Sequence, residues 1–348
     1  MTHFELLPSP LELQHELPLN AHQLEFIKHS RHTVKRILDG TDSRKLLIVG
    51  PCSIHDITAA LDYATKLKQL AQEVVKSFFI VMRAHFEKPR TSTGWKGMMY
   101  DPMLDGSHDL SHGLRSSRQL LQKLADLEMP SATEFLDPMA SYYLGDLISW
   151  GSIGARTTAS QIHRQFSSGL PMPIGFKNGT DGDIHTAVNA VLSAAIPHAY
   201  IGMGENGRTG IIRTHGNKDA HIVLRGGEKQ PNYDPASINH ALDLLKKAQL
   251  PSRLIIDCSH DNSSKKPENQ PLVFKSVIKQ VLEGNQDIRG VIIESHLNGG
   301  NQSPDKPTKL KYAISLTDAC LDWNTTNELI LWGADQLQQT SEPQFIYQ

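Results

Sequence analysis

Cysteine is scarce in this chain: three in 348 residues, an odd and widely spaced set unlike the dense disulfide framework of small secreted scaffolds. Cys52, Cys258 and Cys320 therefore read as free thiols or metal ligands. Charge of one sign is missing as well. With 35 Lys and Arg against 37 Asp and Glu the formal charge is -2, so no global basic field recruits nucleic acid or an anionic membrane. Long apolar runs are absent: stretches such as Leu46-Leu47-Ile48-Val49-Gly50 fall far short of the roughly 20 residues a membrane span needs. The opening residues show no basic segment followed by an apolar one, and the expectation is a cytoplasmic protein. No low-complexity tract and no repeat of solenoid period is present.

What the chain does have is a rhythm. Short β-branched apolar runs occupy 45–50, 79–83, 131–136, 153–157, 173–177, 221–225, 253–257 and 290–294. Amphipathic stretches separate them at 57–75, 113–128, 138–149, 160–168, 184–194, 235–248 and 272–283, and a last one covers 317–336. Eight strands, each followed by a crossover helix, predict an α/β chain built as a single (β/α)8 TIM barrel over residues 42–348. Two pieces stand outside the repeat. Residues 1–41, with a helix over 21–38, are expected to form an extension for oligomerisation or regulation. Residues 199–213 read as a hairpin turning at Glu205-Asn206-Gly207, inserted before the sixth strand. Inert decoration fits both pieces equally well.

Active sites of such barrels lie where the strands run out at their C-terminal face. The residues there are strongly polar: Cys52, Arg83, Glu134, Arg156, Lys177, Arg225, Asp257 with His260, and Glu294, strand by strand. Any one of these charges taken alone is most often a solvated loop residue. Four cations converging on one mouth repel each other unless carboxylates or an anionic ligand offset them, which points to a substrate with phosphate or carboxylate groups. The loop after the second strand adds Glu87-Lys88-Pro89-Arg90-Thr91, where Pro89 restricts its own φ and the residue before it; the arrangement suits a second phosphate.

A metal centre is the other constellation. Cys52, His260, Glu294 and Asp318 fall at the ends of strands one, seven and eight and at the expected start of the last helix. One thiolate, one imidazole and two carboxylates suit Mn2+, Fe2+, Co2+ or Zn2+ better than Ca2+, because sulfur disfavours hard cations. Of the 17 histidines only His260 is assigned to the metal.

At these residues the chain resembles the class I (metal-dependent, bacterial aromatic-sensitive type) 3-deoxy-7-phosphoheptulonate synthases. The resemblance runs from Gly50-Pro51-Cys52-Ser53-Ile54-His55-Asp56 and Met82-Arg83 through Phe86-Glu87-Lys88-Pro89-Arg90-Thr91, Gly154-Ala155-Arg156-Thr157-Thr158 and Gly175-Phe176-Lys177-Asn178-Gly179-Thr180-Asp181-Gly182. It continues with Leu224-Arg225-Gly226-Gly227, Ser259-His260, Glu294-Ser295-His296-Leu297, Gly300-Asn301-Gln302 and Thr317-Asp318-Ala319-Cys320. It implies condensation of phosphoenolpyruvate with erythrose 4-phosphate, the first step of the shikimate route to aromatic amino acids. It implies that Arg83, Lys88, Arg156, Lys177 and Arg225 hold phosphoenolpyruvate, that Arg90 and Thr91 hold the sugar phosphate, and that Cys52, His260, Glu294 and Asp318 hold one divalent metal. A homodimer or homotetramer inhibited by an aromatic amino acid is implied too. Departures at Pro171-Met172-Pro173 and over 202–207 leave the effector open.

Crowding by arginines is expected to lower the pKa of Lys88, which makes it a candidate general acid beside Cys52 and His260 as catalytic residues. Two other readings remain: a phosphoenolpyruvate aldol enzyme that takes another sugar aldehyde, and a barrel kept as a sensor of aromatic amino acids.

Overall fold

The computed structural model describes residues 4–90, 92–304 and 307–339. In chain order the strands are β1 (Lys45–Gly50), β2 (Phe78–Arg83), β3 (Ser131–Glu134), β4 (Trp150–Ile153), β5 (Ile174–Lys177), β6 (Ala199–Met203), β7 (Thr209–Arg213), β8 (His221–Leu224), β9 (Leu254–Asp257) and β10 (Ile288–Glu294). β6 and β7 pair only with each other, antiparallel, and the rest close a parallel barrel in the order β1-β10-β9-β8-β5-β4-β3-β2. The α-helices are α1 (Pro10–Glu16), α2 (Ala21–Asp39), α3 (Ile57–Glu73), α4 (Leu110–Asp126), α5 (Ala140–Leu144), α6 (Gln161–Ser167), α7 (His185–Ala194), α8 (Pro235–Lys247), α9 (Gln270–Leu282) and α10 (Trp323–Gln339). Among the described residues no helix is long and apolar enough to cross a membrane. The expected (β/α)8 barrel and the hairpin before its sixth strand are both present.

Alternation along the strands sorts the apolar side chains into two layers. Leu47, Val49, Ile80, Met82, Phe176, Ile222, Ile256 and Ile293 face outward and pack under the helices. Leu46, Ile48, Val81, Ala132, Trp150, Val223, Ile255 and Ile292 face inward and fill the barrel. Gly175 makes room there, since a Cβ would stand 2.6 Å from the Trp150 ring and 2.7 Å from Val223. The inner layer is completed by Val34, Ile37 and Leu38 of α2, which close the N-terminal mouth. Each such buried aliphatic contributes about 1.5–3 kcal/mol. α2 can enter this position because Asn20 and Gln23 cap its start reciprocally and Gly40, at φ +76°, ends it and turns the chain toward β1.

Four local expectations shift. α1 was not anticipated; it is too short for periodicity to reveal, and a Ser9–Glu12 capping box holds it. The stretch 138–149 forms only α5 and a 3-10 turn over Gly145–Leu147 before the chain enters β4. β4 lies at Trp150–Ile153, earlier than 153–157: the amides of Thr157 and Thr158 both bond Gly154 O and make a turn. The last helix begins at Trp323, because 315–321 is tied in bridges to Ser295, Gly300 and Asn301. Asp318 is therefore a loop residue.

Candidate active site

The inward positions continue past the apolar layer at the same period of two. After Val81 comes Arg83, after Ala132 Glu134, after Gly175 Lys177, after Val223 Arg225, after Ile255 Asp257 and after Ile292 Glu294. The strand pleat alone thus delivers six charged side chains to one end of the barrel. Five of them, all but the fully buried Asp257, line with Lys88, Arg90, Arg156, His260 and Asp318 a cavity of about 230 Å3. Arg156, itself exposed, reaches it from the turn after β4, and Arg90, also exposed, donates Nε–H to Trp95 O at 2.8 Å. Thr91 lies outside the described residues.

The cations are largely matched. Lys177, 3% exposed, stands 2.9 Å from Glu134 and 3.5 Å from Asp257. Arg83 donates to Glu294 Oε1 at 2.7 Å and to the carbonyls of Pro51 and Cys52. Arg225 pairs with Asp261, a partner the sequence reading did not name. Gln270 was missed as well: it grips the backbone of Glu294 from both sides, accepting from its N–H at 2.8 Å and donating to its carbonyl at 3.0 Å. Neither residue stands at a strand end, so no sequence signal marked it.

Cys52, Glu294 and Asp318 turn ligand atoms into a space where those atoms lie within 4.8 Å of one another. His260 stands at the edge of this group. Its Nδ1 is 3.0 Å from Asp257 and its Nε2 faces Glu294 Oε1 at 3.8 Å, the orientation that a carboxylate partner imposes on a metal-binding imidazole. Its backbone is held at φ +54°, a strained value that its surroundings must enforce. Burial, with Glu294 adding, pushes the Cys52 thiol up to about 11, so the thiolate form needs a strong local cation. Two ligands at about 2.3 and 2.1 Å from one tetrahedral ion stand roughly 3.6 Å apart, and Cys52 Sγ lies 3.7 Å from Asp318 Oδ2. The donor set and its spacing fit a divalent metal.

One expectation is overturned. Lys88 is not lowered: burial and Arg83 press its pKa down, but Cys52, Glu294 and Asp318 outweigh them and raise it. Its Nζ sits 2.9 Å from Cys52 Sγ. Counting nearby arginines in the sequence left out the acids that the fold brings around the same ammonium.

Glu134 carries a measurable consequence. Burial would raise its pKa, yet Lys177 and then Lys88 override this and hold it at about 2, below the ordinary 4.5. A depressed carboxylate contributes stability above its unfolded value that is lost as pH falls through the folded value, here between about 4.5 and 2, on the order of 3 kcal/mol. Glu134→Gln is expected to be less stable than wild type at neutral pH and to converge with it near pH 2 in denaturant titrations. Parallel stability curves across that window would refute the assignment.

A model of the DAHP synthetase I family matches residues 17–330. The chain is 47% identical over 331 residues to the Tyr-sensitive phospho-2-dehydro-3-deoxyheptonate aldolase of Escherichia coli, which spans 95% of this chain and 93% of the relative. It is 46% identical over 326 residues to the Phe-sensitive enzyme of the same organism, across 94% and 93% of the two chains. The structure of phospho-2-dehydro-3-deoxyheptonate aldolase from Francisella tularensis matches with a TM-score of 0.95 at 42% identity, over 97% of this chain and 98% of that one. The matched span holds every barrel strand and the whole cavity, and the chain belongs to the DAHP synthetase I family.

Proposed function

We propose that the barrel mouth condenses phosphoenolpyruvate with erythrose 4-phosphate and water to 3-deoxy-7-phosphoheptulonate and phosphate. The observation that carries this reading is the cavity itself, where Arg83, Lys88, Arg90, Arg156, Lys177 and Arg225 surround a donor set fit for a divalent metal. Arg156, Lys177 and Arg225, with Lys88 and Arg83, take the carboxylate and phosphate of phosphoenolpyruvate; Arg90 and Thr91 take the phosphate of the sugar. A divalent ion held by Cys52, His260, Glu294 and Asp318, whether Mn2+, Fe2+, Co2+ or Zn2+, would supply Lewis acidity toward the aldehyde oxygen. C3 of phosphoenolpyruvate attacks the aldehyde carbon, water adds at C2, and the C–O bond to phosphate breaks. Lys88, with Nζ 2.9 Å from Cys52 Sγ, stabilises developing negative charge beside the ligand set.

The relatives' names specify sensitivity to Tyr or Phe, and an aromatic amino acid effector is part of the same proposal. So is a homodimer or homotetramer. Leu11 N donates to Glu205 O, which joins the N-terminal arm to the hairpin, and Ile201 and Ile211, directly opposed on that ribbon, are 81% and 69% exposed.

A phosphate-release assay with purified protein tests the substrate assignment. Erythrose 4-phosphate is expected to exceed arabinose 5-phosphate and mannosamine derivatives by about 10²-fold or more in kcat/KM. Preference for arabinose 5-phosphate would overturn the choice of sugar, and absence of turnover would favour a sensor.

A further inference from the structure

Three of the four metal-site residues take their places from the barrel: Glu294 ends β10, His260 follows β9 and Cys52 follows β1. Asp318 has no such support. It lies far along the irregular loop between β10 and α10, so its position depends on whatever holds that loop. Backbone bonds fasten the loop on either side: Leu321 N to Glu294 O at 3.0 Å, and Gly300 and Cys320 to each other at 2.8 and 3.1 Å. Between these points Gln302 N bonds Ser315 O at 2.8 Å, and the chain next to Asp318 is held at Thr317.

Each polar group of Thr317 has a partner. Its N–H donates to Ser315 Oγ at 3.2 Å, and its carbonyl accepts from Asn301 Nδ2 at 2.9 Å. Its hydroxyl bonds Ser53 Oγ at 2.9 Å. That carbonyl belongs to the peptide bond leading into Asp318, so the Asn301 amide sets the plane from which the carboxylate departs. Ser53 is fully buried and adjoins Cys52. The hydroxyl pair therefore joins the residue after one ligand to the residue before another, across the two segments whose ligand atoms stand 3.7 Å apart.

We propose that Thr317 is a positioning residue of the metal centre: its hydroxyl on Ser53 and its carbonyl on Asn301 hold Asp318 at ligand distance from Cys52 before any ion binds. The claim rests on reading Cys52 and Asp318 as ligands. Sites of this kind tolerate about 0.5 Å of misplacement, and groups that orient a ligand typically change metal affinity by about 10- to 100-fold when removed.

The test measures Mn2+ binding by equilibrium dialysis, with melting of the metal-free protein alongside. Thr317→Val keeps the shape and loses the hydroxyl; its Mn2+ Kd is expected to rise about 10- to 100-fold while kcat returns at saturating Mn2+. Thr317→Ser keeps the hydroxyl and should bind like wild type. Asn301→Ala, at an exposed side chain, should weaken binding in the same direction and serves if Thr317→Val does not fold. A Kd within about twofold of wild type for the folded variant, or equal weakening by Val and Ser, overturns the proposal. Cys52→Ala and Asp318→Ala distinguish its failure from that of the ligand reading: if neither weakens Mn2+ binding, the ligands themselves are misassigned.

Discussion

Lys177→Ala is expected to raise the KM for phosphoenolpyruvate about 10- to 100-fold, the weight of one hydrogen bond to a charged group, and at the same time to weaken the fold. From sequence alone the rise in KM is expected to far exceed any destabilisation of the fold. In the structure the ammonium is 3% exposed and lies between Glu134 and Asp257, so its removal strands the Glu134 carboxylate, while Asp257 keeps His260 and Ser259. Breaking a buried pair from one side costs about 3–5 kcal/mol. Arg156→Ala provides the contrast: the residue is exposed and its side chain lines the same cavity, and its loss should raise KM comparably while stability stays within about 0.5 kcal/mol. Steady-state kinetics and denaturant unfolding on both variants separate the effects. An unchanged KM in Lys177→Ala would remove it from the substrate site.

Metal removal should have the largest effect of all. Cys52, Glu294 and Asp318 crowd their ligand atoms within 4.8 Å, and burial pushes the thiol up to about 11 even with the Lys88 ammonium beside it. Treatment with EDTA is expected to abolish turnover and lower the melting temperature, and Mn2+ or Fe2+ should restore both. An ion at 100 times its Kd stabilises the folded state by about 2.7 kcal/mol, readily seen in a thermal scan. Cys52→Ala should lose the restoration together with the melting shift. Turnover that survives rigorous chelation would count decisively against the site.

Much of this centre is legible in the chain because side-chain period is a local property. Arg83, Glu134, Lys177, Arg225, Asp257 and Glu294 stand at the next inward step after an apolar inward residue, and that step is countable without coordinates. Arg156 is the instructive exception: read as ending a strand, it belongs to a turn, because Thr157 and Thr158 bond back to Gly154. β-branched residues suggest a strand, but a hydrogen-bonded turn takes them when the next ladder position is out of reach.

The hydrophobic rhythm, the barrel and the polar strand ends were determined by the sequence itself, since each follows from residues adjacent or two apart. Tertiary structure decided the rest. α2 looks like an appendage until the barrel closes and leaves a hole that Val34, Ile37 and Leu38 fill. Asp318 looks helical until the loop from Ser295 to Asn301 claims its neighbours. The pKa of Lys88 reverses its expected direction because Coulomb interaction and desolvation depend on distance through space, and Cys52, Glu294 and Asp318 come near it only when the barrel closes.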